Sequence, residues 1–211
     1  LNLEKIEDID SINYKVFSQN GEDGIIQYLI KSLKLKNIKF IEIGTQDYSE
    51  SNTRYIFESM RCNGLIVDPL KNLKNEVRKN TIDFWKNNLV IVNDLATPEN
   101  INFILEKNDF DDKIDLFSID IDGIDYWVIK ELKKNISKIF VAEYNPYFGP
   151  DLEITVPYIK NFHRTSYHYS NLCWGVSLKS LIKIMADKNY SFVGSNEFRN
   201  NAFFVSNDYI D

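Results

Sequence analysis

The chain has 211 residues, 44% of them hydrophobic and 27% charged, with a formal net charge of −6. That size and balance bury one core and exclude disordered, collagen-like and coiled-coil classes. The acidic balance, with lysines scattered among acids, leaves no electrostatic footprint for phosphate backbones, so no nucleic-acid partner is expected.

Taken in chain order, Leu1 to Asp10 alternates acids with isoleucine and lacks both the basic and the apolar region of a secretory signal. Gly21 to Lys34 places Ile25, Ile26, Leu29, Ile30 and Leu33 on one face, as an amphipathic helix does. Near-continuous apolar runs follow at Lys39 to Ile43, Gly64 to Val67, Leu89 to Val92, Leu116 to Ile119 and Ile139 to Ala142, the pattern of parallel strands covered on both faces. Helices are expected between them at Asn52 to Met60, Asn72 to Lys79, Pro98 to Lys107 with Thr97 as cap, and Asp125 to Lys134. A polar, aromatic-rich loop, Tyr144 to Trp174, leads to a helix at Leu178 to Lys188 and to strands Tyr190 to Val193 and Ala202 to Val205, joined as a hairpin by Asn196 to Asn201. No apolar run approaches the roughly 20 residues of a membrane helix. Two cysteines, Cys62 and Cys173, are too few for a disulfide framework and read as packing residues, so a cytoplasmic location is expected. The whole, 1–211, reads as one domain with a Rossmann-like doubly wound α/β sheet. It has about seven strands, mostly parallel, and an antiparallel C-terminal edge strand.

Such a sheet binds its ligand beyond the carboxyl ends of its strands, where strand order reverses. Polar residues stand at the end of each of the five predicted parallel strands: Glu42 with Gly44, Asp68, Asn93 and Asp94, Asp120 and Asp122, Glu143 and Asn145. Gly44 either admits a ligand to the backbone or makes a tight turn with Ser51 or Asn52 capping the next helix. Asp68 stands where these folds place an acid on ribose hydroxyls, or else it is a helix cap before Pro69. Asp120, Asp122 and Asp125 would repel one another unless a cation sits among them, while Asp122 or Asp125 also suits the start of a helix. With Glu143 and Asn145, Asp120 or Asp122 forms an oxygen-rich set suited to Mg²⁺ or Mn²⁺. His163 and His168, in the aromatic loop beside Arg164, Tyr167 and Tyr169, are candidate general bases or plain surface residues.

Five blocks in order, Phe17-Ser-Gln19-Asn-Gly-Glu22-Asp23-Gly24, Phe40-Ile-Glu42-Ile-Gly44 with Ser51-Asn52-Thr53-Arg54, Ile66-Val-Asp68-Pro69, Ser118-Ile-Asp120-Ile-Asp122-Gly123 with Asp125-Tyr-Trp127, and Glu143-Tyr-Asn145-Pro146, resemble class I S-adenosylmethionine-dependent methyltransferases, the FkbM-like group in particular. The usual E-x-G-x-G-x-G becomes Glu42-Ile-Gly44-Thr-Gln46-Asp-Tyr48, with side chains at both later glycine positions. The resemblance implies S-adenosylmethionine as cofactor, with Glu42 and Gly44 beside its methionine part and Asn52 and Asp120 among its further binding residues. It puts Asp68 on the ribose, Asn93 or Asp94 at the adenine edge, and Gln19, Glu22 and Asp23 closing the pocket from an N-terminal helical lid (1–35). It implies metal ligation by Asp120, Asp122, Glu143 and Asn145 as in some O-methyltransferases, and catalysis by Asp120, His163 or His168. The loop 144–174 would hold a small-molecule or saccharide-type acceptor of bacterial envelope or secondary metabolism. A homodimer is left open. Two other readings stand beside it: a metal-dependent glycosyltransferase using Asp120-Ile-Asp122, and a non-catalytic partner that keeps the fold but has lost the cofactor. A phosphatase fits poorly, because its nucleophile belongs after the first strand.

Overall fold

The structure, a computed structural model, describes residues 12–81 and 87–210. The stretch read for a secretory signal, Leu1 to Asp10, lies outside them. Seven strands, β1 (Ile38–Ile43), β2 (Cys62–Val67), β3 (Asn88–Val92), β4 (Ile114–Ile119), β5 (Ser137–Glu143), β6 (Tyr190–Ser195) and β7 (Asn201–Ser206), form one sheet in the order β3-β2-β1-β4-β5-β7-β6. The pairings among β1 to β5 are parallel, and β7 runs antiparallel between β5 and β6.

The apolar runs are continuous because alternate side chains enter different cores. Ile41, Ile43, Leu65, Val67, Phe117, Ile119, Phe140 and Ala142 pack with α4 (Ile101–Lys107), α5 (Asp125–Glu131) and α7 (Leu178–Asp187). Ile38, Phe40, Ile66, Leu116, Ile139, Val141, Phe203 and Val205 face the other side. There they meet α1 (Glu22–Ser32), α2 (Arg54–Ser59) and α3 (Leu73–Asn80). The N-terminal helix is thus a layer on the sheet, with Ile25, Ile26, Leu29 and Ile30 buried against it.

Helix starts differ from expectation where side chains take other work. α2 begins at Arg54 with Thr53 at its N-cap, so neither Ser51 nor Asn52 is the cap, although Ser51 Oγ, two residues further back, accepts from the Arg54 N–H at 3.1 Å. α4 begins at Ile101, because Pro98 to Asn100 form a separate turn in which the Thr97 carbonyl accepts from Asn100 and Ile101. α5 opens with Asp125 itself, and Asp122 lies ahead in the left-handed region at φ 54°. α5 also stops at Glu131, short of the expected Lys134. Two short elements lie inside the stretch expected to be loop, a 3-10 turn at Pro146–Phe148 and α6 (Arg164–Tyr167), a single turn. No helix among the described residues is long and apolar enough to cross a membrane.

Strand order reverses between β1 and β4, since β1 pairs with β2 on one side and β4 on the other. The crevice of such a sheet opens there, beyond the carboxyl ends.

Candidate active site

Glu42, the penultimate residue of β1, points to the α2 side and is buried. Its carboxylate accepts from Ser51 Oγ (2.6 Å), from the Asn52 and Thr53 N–H groups (2.9 and 3.1 Å) and from the Thr53 hydroxyl. Burial pushes this carboxyl up from its ordinary value, and the donors from Ser51, Thr53 and Asn52 pull it back. Glu42 therefore ties the segment before α2 to the strand, and still lines a hollow above it.

The loop after β1 is tightly specified. Gly44 has φ 85°, and a Cβ there would collide with the carbonyl oxygen of Asp120 as the chain passes the exit of β4. Gln46 (φ 47°) and Tyr48 (φ 64°) also adopt left-handed backbone, at the two positions where the family pattern has glycine. Tyr48 is fully buried in the α1 to α3 core and its hydroxyl shares a hydrogen bond with Thr53 Oγ1 at 2.8 Å. Asp68, the first residue after β2, closes the loop from the other side by accepting from the Gln46 N–H (2.7 Å) and, in its own turn, from the Leu70 N–H (2.7 Å).

Two adjoining cavities occupy this end of the sheet. One, about 180 Å³, is lined by polar groups that include Glu42, Ser51, Asn52 and Asn201. The other, about 350 Å³, is lined by Val67, Asp68, Leu95, Ala96, Glu143 and Arg164 among others. Gln19, Gly44, Gln46 and Asp120 line both, so the acids of β1 and β2 look into one divided crevice.

Not every expected residue reaches it. Glu22 is buried and accepts from Asn20, Asn196 and Asn201, tying α1 to the β6–β7 hairpin. Asp23 is buried under the N–H groups of Val16, Phe17 and Ser18. Of that trio only Gln19 lines the crevice. Asn93 holds the turn after β2 by donating to the carbonyls of Asp68 and Leu70, and Asp94 is exposed. Leu95 and Ala96, next along the chain, supply the apolar wall instead.

The acids after β4 and β5 do converge. Carboxylate oxygens of Asp120, Asp122 and Glu143 lie within 4.8 Å of one another. Burial, then the Asp125 charge, pushes Asp120 up to about 7. Burial and then Asp120 push Glu143 well above the usual carboxylate range. Glu143 Oε2 is buried with no hydrogen-bond partner among the described residues. Asp125 is a turn-former, accepting from the N–H groups of Ile121 (2.9 Å) and Gly123 (3.1 Å), with burial raising it to about 6. Asn145 donates its carboxamide N–H groups to the carbonyls of Leu172 and Trp174 and accepts from the Tyr147 N–H, so it ties the start of the following segment to its end.

The cation called for by these acids is Arg164, whose guanidinium meets Asp122 at 2.6 Å. It comes from the 144–174 segment, a strap pinned across the strand ends. The pins are Trp127 Nε1 to the Val156 carbonyl, Tyr158 to Glu99, and the Gly175 N–H to the Gly123 carbonyl. His163 and His168 flank α6, exposed, their Nδ1 atoms hydrogen-bonded to Thr165 and Ser170, and neither lines the crevice. Sequence reasoning missed Gln46, Leu95, Ala96, Arg164 and Asn201. The repulsion among three nearby acids was the one signal that pointed to a cation such as Arg164.

No family model matches the chain, and no curated protein sequence is similar to it. Solved structures are. An S-adenosylmethionine-dependent methyltransferase from Clostridium acetobutylicum is 9% identical, with 87% of this chain and 90% of that chain covered and a TM-score of 0.51. The CurJ carbon methyltransferase is 10% identical over 87% of this chain and 52% of that chain, with a TM-score of 0.53. The fold is therefore the Rossmann-like fold of methyltransferases, a seven-strand mixed sheet flanked by helices.

Proposed function

We propose that the chain is an S-adenosylmethionine-dependent methyltransferase of the FkbM-like group. It methylates a hydroxyl of a small polar or saccharide-type acceptor in bacterial envelope or secondary metabolism. The observation that carries this reading is the single divided crevice at the β1/β4 reversal, into which Glu42, Gly44, Asp68 and Asp120 all open. Its chemistry suits the cofactor. The acids Asp120 and Glu143 face a ligand that carries an ammonium and a sulfonium, while Val67, Leu95 and Ala96 offer a flat purine an apolar wall.

When bound, the cofactor supplies a methyl group on a positively charged sulfur, open to in-line displacement by an acceptor oxygen. The chain's task is mainly alignment. Glu42 and Asp68 hold the loop Gly44 to Tyr48 rigid from both sides, and the strap walls the acceptor side through Arg164. Asp120, raised to about 7, is matched to accepting the acceptor's hydroxyl proton near neutral pH. A second reading is metal-assisted, favoured by the 4.8 Å convergence of Asp120, Asp122 and Glu143.

Isothermal titration with S-adenosylhomocysteine tests the proposal. Micromolar-range binding, with no comparable binding of UDP-sugars, is expected. No binding and no rise in melting temperature would return the chain to a non-catalytic partner role. Turnover unchanged in EDTA would reject the metal.

A further inference from the structure

We infer that a separate cavity, between α5, α7 and the strap residues Glu153 to Thr155, binds a small organic phosphate, an apolar or aromatic body carrying a dianionic head. The cavity shares no lining residue with the crevice, so this site is independent of the methyltransferase reading.

Size, charge and one buried ammonium carry it. The cavity holds about 530 Å³, more than either half of the crevice and within the range of small-molecule sites. Tyr126, Ile154 and Ile184 give it an apolar wall, and four lysines, Lys130, Lys134, Lys183 and Lys188, line it against two acids, Glu153 and Asp187. In a chain of net charge −6 that is a local reversal of sign. Glu153 is already engaged by Lys183 at 2.8 Å and Lys179 at 3.5 Å. Lys133 meets Glu106 and Asp111, whereas its neighbours in this cavity, Lys130 and Lys134, have no carboxylate partner among the described residues. Lys188 is only 8% exposed, and its ammonium donates to the carbonyls of Lys130 and Leu132 at the end of α5. Capping that helix accounts for two of its three N–H groups and supplies no acid partner. Burial lowers this ammonium from its ordinary value, as expected of a buried charge short of a counterion. Lys130, Lys134 and Lys188 against Asp187 leave two positive charges, which match one dianionic phosphate, and lysines serve such a head as point charges. The apolar wall calls for a ring or alkyl body on the same molecule.

Calorimetry of the chain with phenyl phosphate and with inorganic phosphate, in a phosphate-free buffer above pH 7, tests the site. Phenyl phosphate is expected to bind with a Kd below about 1 mM and about fivefold or more tightly than inorganic phosphate. The double variant Lys130→Gln/Lys134→Gln, whose side chains are exposed and hold no other element, should keep the wild-type melting temperature and bind phenyl phosphate about tenfold more weakly. Its affinity for S-adenosylhomocysteine should equal that of the wild type. Phenyl phosphate affinity within about twofold in the wild-type and variant chains, or no saturation up to about 10 mM, would overturn the inference. Equal affinity for the two phosphates would overturn it as well, since the apolar wall would then hold nothing.

Discussion

Glu42 and Glu143 close strands on either side of β4, and both are buried, yet their surroundings are opposite in kind. Glu42 sits among donors: two hydroxyls and two backbone N–H groups converge on its two oxygens. Glu143 sits among acids, with Asp120 and Asp122 beside it and one oxygen unpartnered among the described residues. A buried carboxylate with its lone pairs filled is architecture, since its charge is solvated by the protein. A buried carboxyl facing other carboxyls lowers stability in the free protein, and such clusters in a cleft mark where a ligand completes the electrostatics. The divided crevice thus has a built wall and an unfinished one.

The largest effect expected from breaking this contrast is at the built wall. Glu42→Ala strands four donors and should cost about 3–5 kcal/mol in urea denaturation, the range for removing one partner of a buried charged network. Glu42→Gln keeps two acceptor lone pairs on one oxygen and should cost about 1–3 kcal/mol. A loss below 1 kcal/mol for the alanine variant would mean that the loop before α2 is held by something else.

The unfinished wall should respond with the other sign. Asp120 titrates at about 7 in the fold, against about 4 in an unfolded chain, so the folded state holds the extra proton between those values. Stability falls as pH rises through that window, and the penalty is complete above pH 7 and absent below pH 4. Because Asp120 shares its surroundings with Glu143, only part of the shift is recovered on neutralising one member. Asp120→Asn should stabilise the chain by about 1–2 kcal/mol at pH 8 and leave it unchanged near pH 4. The same variant should bind S-adenosylhomocysteine more weakly. Destabilisation at pH 8 would show that Asp120 is satisfied after all and that the contrast with Glu42 is false.

How far the sequence reveals these walls depends on how local the signal is. All seven strands and the order of helices are visible because buried parallel strands read as apolar runs, and the runs Lys39 to Ile43 and Ile139 to Ala142 match β1 and β5 closely. Acids at strand ends are equally visible, since Glu42, Asp68, Asp120 and Glu143 each interrupt or end such a run. What each acid does is not visible, because the answer lies in donors far along the chain: Ser51 to Thr53 for Glu42, Gln46 for Asp68, Asn196 and Asn201 for Glu22. The resemblance brought Glu22 and Asp23 to the cofactor along with Gln19, but Gln19 lies in the bend before α1, while Glu22 and Asp23 open the helix and turn inward to hold the preceding backbone and the hairpin asparagines. The reach of Arg164 to Asp122 spans 42 positions and belongs to a strap with no regular periodicity, so only the need for a cation was legible.

Arg164→Met tests the strap at smaller scale. Both side chains of the Arg164–Asp122 pair remain well exposed, 38% and 45%, so the pair is worth about 1 kcal/mol or less to stability. Its electrostatic role should outlast that small energy. Removing the guanidinium leaves Asp122 uncompensated beside Asp120, which raises the proton affinity of the acid cluster. The midpoint of any pH dependence in S-adenosylhomocysteine binding should then move upward by about half a pH unit.

Least of all should change when His163 and His168 are both replaced by alanine. Each ring is exposed and hydrogen-bonded within its own turn, to Thr165 or Ser170, and neither lines the crevice. Cofactor affinity and turnover should stay within about twofold of wild type, because a base outside hydrogen-bond reach of the acceptor contributes nothing to its deprotonation. A collapse in turnover with unchanged affinity would mean that the strap folds inward on binding acceptor and that the proton leaves through an imidazole. Asp120 and Glu143 would then serve the cofactor's positive charge alone.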